Sequence, residues 1–347
     1  MRVAFVYPNP REELARAVAA GEAPDTGLLG QNHLAEYGIA AGIHESRMRR
    51  ATRQPGLTHR VTWLARELTV PWEVGDATAI VTSLGSLLPL AARVRRGPKT
   101  VLININFCTM LDRLRGPRRN LLERSLKAAD AIVCLAAAQR AKLLEQITVD
   151  PARVHVVLLG VDATYYEPRP EPLEPHVVAV GRDVGRDYTT FAQAVGDLGV
   201  RTTIVASARN VAGVGVPSHV EVELDVDPER LRDLYASASC VVVPTRSHEF
   251  DHGADCSGQT VLLDAMAMGR PTVITRRSTL AEYVDEGETA LLVPAEQPDA
   301  LGGAIQKLLD RPELRRRLGR QSRESVNRHF TTRHFAAGLA PILEAVA

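Results

Sequence analysis

An α/β chain of two parallel-sheet domains is what this sequence predicts, and three observations carry the prediction. Short apolar runs alternate with helical segments from one end of the 347 residues to the other, the rhythm of a sheet covered by helices. Midway, YYEPRPEPLEPH puts four prolines into a short polar stretch, which makes a linker rather than a core element. The length itself suggests two domains of ordinary size. The boundary is set at 166/167, near Tyr166–His176, with a second domain over 167–330 and a last helical segment over 331–347.

In the first half Arg2–Tyr7 runs apolar and reads as the first strand of a parallel sheet. A turn follows at Pro8–Pro10, then a short helix over Glu12–Ala20 and a helix over Leu28–Tyr37. Strands are expected at Ile39–His44, Val61–Trp63, Ala79–Thr82, Thr100–Ile105 and Ala131–Leu135, with helices such as Leu87–Arg95 and Asn120–Ala128 between them. Ligands of such sheets sit at the carboxyl ends of strands, here Pro8–Pro10, Ser83–Ser86 and Asn106–Thr109. Asn104 and Asn106 flank the end of an apolar strand, where a polar side chain needs a partner or a ligand. Val154–Gly160 closes this half as another strand.

The second half restarts the rhythm. Strands are expected at His176–Val180, Thr202–Ala206, Val220–Val222, Cys240–Pro244, Pro271–Ile274 and Ala290–Val293. Helices are expected at Thr189–Leu198, Pro228–Ala236, Asp299–Leu309 and Pro312–Phe330, with a last one running to Ala347. Two α/β domains joined by one linker leave a cleft between them, a favoured place for a substrate.

DCSGQTVLLDAMAMGRPTVI at 255–274 is the most informative stretch. Ser257 is a good N-cap and Gly258 lets backbone approach a ligand. Val261, Leu262, Ala265 and Met266 give one apolar helical face, and Gly269 with Pro271 ends the helix. A glycine-lined helix N-terminus is a ready anion site, and Asp264, two turns in, is within reach of ligand hydroxyls there. An ordinary Ser-capped helix–strand unit fits the stretch taken alone. A second candidate follows the strand at His176–Val180: Gly181, Arg182, Gly185 and Arg186 place two arginines and two glycines at a strand end. Such arginines can clamp a diphosphate bidentately, while Asp183 and Asp187 allow a plain polar turn with two Arg–Asp pairs.

Composition narrows the classes. Hydrophobic residues make up 45%, charged residues 24% and aromatics 4%, and no apolar run is long enough to span a bilayer. The start, MRVAFVYPNP, is a strand entering a turn and not a signal peptide. Cys108, Cys134, Cys240 and Cys256 are scattered without a CxxC pair, which fits a reducing, cytoplasmic setting and argues against structural zinc. Net charge is +1, yet Arg47, Arg49, Arg50 and Arg53, then Arg93, Arg95, Arg96 and Lys99, then Arg113, Arg115, Arg118 and Arg119 form three basic clusters in the first half. They are either solvated surface or the mark of an anionic acceptor or membrane surface. No GxxxxGK[ST] loop, GxSxG elbow or GxGxxG turn is present. HEFDHGAD at 248–255 gathers His248, Glu249, Asp251, His252 and Asp255, a set that could suggest a metal, and reads as a polar loop before a helix.

LLGVDATYYEP at 158–168, VGRDVGRDYTTFAQAV at 180–195, the run from Ser257 to Ile305 and LDRPELRRRLGRQSRESV together resemble glycosyltransferase family 4. The resemblance is dense over the second half and thinner over the first. It implies the GT-B architecture, two Rossmann-like domains facing an interdomain cleft, with the final helix crossing back to the first domain. It implies retaining sugar transfer from a nucleotide-diphosphate sugar, with no cofactor and no bound metal required. Arg182 matches the family's diphosphate-binding arginine, and Arg186 stands near its usual lysine at a shorter spacing. Asp264 matches the second acid of the family's Glu-x7-Glu motif, which binds the donor ribose; Cys256 falls at the first acid, and Asp255 is the nearest carboxylate able to replace it. Gly181, Ser257, Gly258, Gln259 and Thr260 complete the donor-binding set. The family's first-domain histidine has no clear counterpart, and Asn106 stands at roughly that place.

The catalytic set expected from this reading is therefore Arg182, Arg186, Asp255 and Asn106. The expected acceptor is a small molecule, with an anionic or membrane-surface acceptor as the alternative; no nucleic-acid partner is expected. The chain is placed in the cytoplasm, with peripheral membrane attachment as the alternative. Two competing readings stay open: a non-catalytic nucleotide-sugar binder, suggested by Cys256, and a phosphorylase or epimerase on the same fold.

Overall fold

The computed structural model describes residues 1–45, 57–85, 87–247, 250 and 252–347. Contacts divide the chain into two units: Met1–Arg16, Gly27–Leu158 and Arg333–Ala347 form the first, Ala17–Thr26 and Leu159–Thr332 the second. The basic cluster Arg47, Arg49, Arg50 and Arg53 lies outside the described residues, as do Ser86, His248, Glu249 and Asp251.

Each unit is built on a six-stranded parallel sheet. In the first, β1 (Arg2–Val6), β2 (Ala40–Ile43), β3 (Ala79–Thr82), β4 (Lys99–Asn104), β5 (Ala131–Cys134) and β6 (Val154–Val156) lie in the order β2-β1-β3-β4-β5-β6. In the second, β7 (His176–Val180), β8 (Arg201–Ala206), β9 (Val220–Leu224), β10 (Cys240–Val243), β11 (Thr272–Thr275) and β12 (Leu291–Val293) lie in the order β12-β11-β10-β7-β8-β9. The strands AIVT, AIVC, HVVAV, CVVV and TVIT are buried along their whole length, because helices cover both faces and β-branched side chains pack well there. The edge strands β2 and β9 expose part of their length. The direction of winding reverses between β1 and β3 and again between β7 and β10. Ligands of open parallel sheets bind outside the carboxyl ends of strands at such switch points.

Three expected elements differ. Val61–Trp63 is not a strand but part of the helix Leu57–Glu73; Arg66, Glu67 and Val70, all buried, recur at helical spacing further along it. Leu28–Tyr37 is not one α-helix but two 3₁₀ segments, Asp25–Leu28 and Gln31–Tyr37. Leu29 (φ 51°) and Gly30 (φ 71°) turn left-handed between them, which no right-handed helix can continue. The strand expected over Val154–Gly160 ends at Val156.

The proline-rich stretch 167–175 carries no helix or strand, whereas Tyr166 just before it is 2% exposed and meets Tyr235 edge-on at 5.9 Å. The last helix is Thr332–Val346. Among the described residues no helix is long and apolar enough to cross a membrane.

Candidate functional site

The loop leaving β7 is organised around a missing side chain. At Gly181 (φ 152°) a Cβ would stand 1.8 Å from Nε of Arg186. Glycine is thus required for Arg186 to fold back over the strand end. There its Nε donates to the Val180 carbonyl at 3.1 Å and its Nη1 to Ser257 Oγ at 2.9 Å. Arg186 is 6% exposed. Burial lowers its pKa, with Tyr188 and Asp183 acting the other way; an arginine so placed stays charged near neutral pH.

Asp183 ties this loop to the entry of the helix Gln259–Ala267. Its carboxylate accepts from Gly185 N (2.9 Å), Ser257 Oγ (3.0 Å) and Ala254 N (3.1 Å). Its carbonyl accepts from Arg186 N and from Asn210 Nδ2. Gly253 (φ 101°) makes room, since a Cβ there would lie 2.6 Å from Asp183 Oδ1. The segment after β10 closes the clamp. Asp187 N donates to Pro244 O, and Arg246 N donates to Gly185 O. The expected Arg–Asp pairs within the loop are not what holds it. Asp183 bonds to backbone and to Ser257, and Asp187 caps the helix Tyr188–Val195 through Thr190 N.

Ser257 is not the N-cap of its helix. Gly258 is, with φ 99°, and Ser257 Oγ is used between Arg186 and Asp183 instead. Among the described residues the N–H groups of Gly258 and Thr260 make no hydrogen bond, so the first turn of this nine-residue helix presents open donors and the positive end of its dipole.

The other candidates fall into three places. Arg182 diverges from Arg186: its side chain is 62% exposed and pairs with Asp225 at 3.3 Å. Gln259 is buried, donating from Nε2 to Thr279 O, while Thr260 is exposed. Asp264 is 4% exposed, and burial pushes its carboxyl well above the usual range against the Tyr235 phenol, which favours the charged form. That phenol is near enough to act on the charge, but neither Asp264 Oδ1 nor Tyr235 Oη completes a well-formed hydrogen bond. Asp255 is buried, and its carbonyl accepts from Arg277 Nη2 at 3.4 Å; Cys256 beside it is 8% exposed. Asn106 lies in the first unit at the N-cap of Phe107–Arg113, where it forms no side-chain capping bond. The capping is done by Asn104, whose Oδ1 accepts from Phe107 N at 2.8 Å.

Sequence reasoning missed Arg277 and the central role of Asp183. Arg277 follows β11, donates to the carbonyls of Arg246 and Asp255, and feels the charges of Asp183 and Arg186. Its signal was available as TRR at a strand's carboxyl end, where only one arginine turns outward, Arg276 to Glu286. Beside Arg186 opens a cavity of about 270 Å³ lined also by Tyr188, Arg209, Asn210, Arg246 and Phe250.

Residues 174–311 match the family model described as "Glycosyl transferases group 1". The chain is 27% identical over 227 residues to the MMP alpha-(1->4)-mannosyltransferase of Mycolicibacterium hassiacum, covering 61% of this chain and 53% of that protein. The chain spans about half the length of the curated relatives it matches. Among solved structures it resembles sucrose-phosphate synthase from Thermosynechococcus elongatus, with a TM-score of 0.78 at 18% identity over 100% of this chain and 99% of that one. It also resembles Anabaena HepE in complex with UDP-glucose, with a TM-score of 0.71 at 13% identity over 99% and 100%. At such identities the likeness is one of fold, and the fold is the two-domain, Rossmann-like α/β fold of the GT-B type.

Proposed function

We propose that this chain is a retaining glycosyltransferase of family 4, which moves a sugar from a nucleotide-diphosphate sugar to an acceptor hydroxyl. The observation that carries the reading is Arg186, held against Ser257 at the β7/β10 switch point beside the open first turn of Gln259–Ala267. The names of the matched family and relatives support the same class of reaction.

The chemical task is to stabilise charge that grows on a departing diphosphate. Preorganised donors that need not reorient are worth most there; losing one costs about 10²–10³ in rate. Arg186 and the N–H groups of Gly258 and Thr260 are such donors. Arg182, whose side chain is exposed, joins them by exchanging Asp225 for phosphate. The unsatisfied Oδ1 of Asp264 is completed by a ribose hydroxyl. Asp255 supplies the carboxylate near the transferred sugar that Cys256 cannot, and Gly181 and Gln259 shape the floor. Asn106 is assigned to the acceptor side. The acceptor's proton passes to the leaving phosphate, so no strong general base is needed.

A small acceptor is favoured over an anionic surface by the placement of the described basic clusters. Arg93, Arg95, Arg96 and Lys99 lie where the helix Leu88–Arg95 runs into the start of β4. Arg113, Arg115, Arg118 and Arg119 lie on a separate segment, from the end of the helix Phe107–Arg113 into the helix Gly116–Ala128. Arg115 and Arg119 also donate to the carbonyls of Asp112 and Leu111 and so cap their own turns. Co-sedimentation with anionic vesicles at low and high salt tests this: salt-sensitive binding would restore the membrane-surface acceptor and peripheral attachment in the cytoplasm.

A thermal-shift screen of nucleotide-diphosphate sugars tests the donor site, since a ligand bound to the folded state raises the melting point. A shift with one donor, plus acceptor-dependent release of nucleoside diphosphate, is expected. A shift without release favours the second reading, a non-catalytic nucleotide-sugar binder, for which Cys256 at the first acid is the specific observation. No shift with any donor would remove the proposal.

A further inference from the structure

A second cavity, of about 350 Å³, opens at the opposite end of the second unit's sheet. Ser239 and Pro271, which precede β10 and β11, line it, so it lies at strand starts, about 15 Å (one strand length) from the switch-point site. Its walls carry Arg169, Arg270, Arg315, Arg316, Arg320 and Arg323 against only Glu171 and Glu324.

The carboxylates within reach do not balance these charges. Glu171 is shared by Arg315 (2.8 Å) and Arg316 (3.4 Å), Arg316 also meets Glu313, Arg169 is taken by Asp233, and Glu324 pairs with Arg328. Arg270, Arg320 and Arg323 form no ion pair among the described residues. Arg270 is 4% exposed; its Nη2 donates to the carbonyls of Arg169, Pro170 and Ala236, and its Nε has no hydrogen-bond partner at all. Arg323 Nη1 donates to the carbonyls of Ala163, Tyr166 and Ala267. Carbonyls hold these guanidiniums in place, and only the longer-range charges of Glu171 on Arg270 and Glu167 on Arg323 offset them, with no direct ion pair in a partly desolvated space. Pro168, Met268 and Pro271 give the same cavity an apolar wall. It stays open where the backbones of Gly269 and Gly319 nearly touch: a Cβ on Gly319 would lie 2.2 Å from Gly269 O.

We propose that this cavity binds a small phosphomonoester, with the phosphate between Arg270, Arg320 and Arg323 and the organic body against Pro168, Met268 and Pro271. A dianionic phosphate matches the planar fork of arginine and supplies a direct countercharge. The volume suits a small ring carrying one phosphate. The proposal does not rest on the reading of the switch-point site.

Phenyl phosphate is the probe, titrated calorimetrically into the full chain, with phenol and inorganic phosphate as controls. Saturable binding of phenyl phosphate is expected, with inorganic phosphate weaker and phenol silent. Arg320→Glu, at an exposed position, is expected to keep the melting point and weaken binding by about tenfold or more, the worth of one charge-assisted contact. Excess uridine diphosphate is expected not to displace the probe. Absence of saturable binding, equal affinity for inorganic phosphate, unchanged affinity in Arg320→Glu, or displacement by uridine diphosphate would each overturn the proposal. The last outcome would assign the binding to the switch-point site instead.

Discussion

The two sheets have closely related strand orders, yet their switch points are furnished in opposite ways. In the first unit the strand ends are filled by the helix Leu57–Glu73. Arg66 donates to the carbonyls of Tyr7 and Pro8, Glu67 accepts from the N–H groups of Leu87 and Leu88, and Tyr7 Oη donates to Leu28 O. These bonds tie the buried side chains there to neighbouring backbone. In the second unit the equivalent place is glycine-lined. Arg186 is held by a network rather than spent on it, and the first turn of Gln259–Ala267 keeps donors unpaired. Topology chooses where a site can be; whether one exists depends on which donors the side chains leave open.

That contrast breaks first at Asp183. Asp183→Ala strands three donors, from Gly185, Ala254 and Ser257, and is expected to cost about 2–4 kcal/mol of stability. Chemical denaturation measures it; a loss no larger than that of an ordinary surface substitution would show that the loop is held by backbone contacts alone. Next comes Arg186. Arg186→Ala is expected to weaken nucleoside-diphosphate binding by about 1.5–3 kcal/mol, the range for hydrogen bonds to charged groups, and to lower the melting point as well. Arg182→Ala, whose side chain is exposed, is expected to weaken binding by about 1–3 kcal/mol while leaving the melting point unchanged. Unaltered affinity in both would remove the diphosphate assignment.

The first unit supplies the control. Glu67 is fully buried, so Glu67→Gln, which trades a charged acceptor for a neutral one, is expected to cost about 1–2 kcal/mol without altering nucleotide affinity. A change in affinity would mean that the first switch point also contributes to the donor site.

Asp264 gives the smallest effect and the one with a pH signature. Its folded pKa is raised by burial, so folding favours the protonated form. The folded state therefore gains nothing below the unfolded value, and loses stability as pH climbs from about 4 toward the raised folded pKa. Asp264→Asn is expected to be more stable than the parent near neutral pH and equal to it in acid, read as melting point against pH. A parallel fall in donor affinity sharpens the ribose assignment; unchanged affinity leaves Asp264 as a buried residue facing Tyr235.

Much of the architecture was legible because it is local. Strands such as His176–Val180 and Ala79–Thr82 were bounded by their apolar runs and are found over those residues. Where the expectation failed, a longer-range fact intervened: left-handed turns at Leu29 and Gly30 broke a helical pattern, and helical periodicity beyond Trp63 overrode a short apolar run. The candidate site was legible in part. Gly181, Arg186, Ser257 and Gly258 converge, and the glycines were informative because backbone approach needs them.

By itself, then, the sequence determined two parallel α/β sheets, the glycine-bearing loop after β7 and the helix whose first turn stays open. Periodicity and the demands of glycine are properties of neighbouring residues. Only the tertiary structure decided that Arg182 and Arg186, four positions apart, point to different partners. It also decided that Ser257 bridges Asp183 to Arg186 rather than capping a helix, and that arginines from three separate segments gather at the strand starts. Such convergence is fixed by strand order and by which charges burial leaves without a direct ion pair, and neither is written in any local stretch of chain.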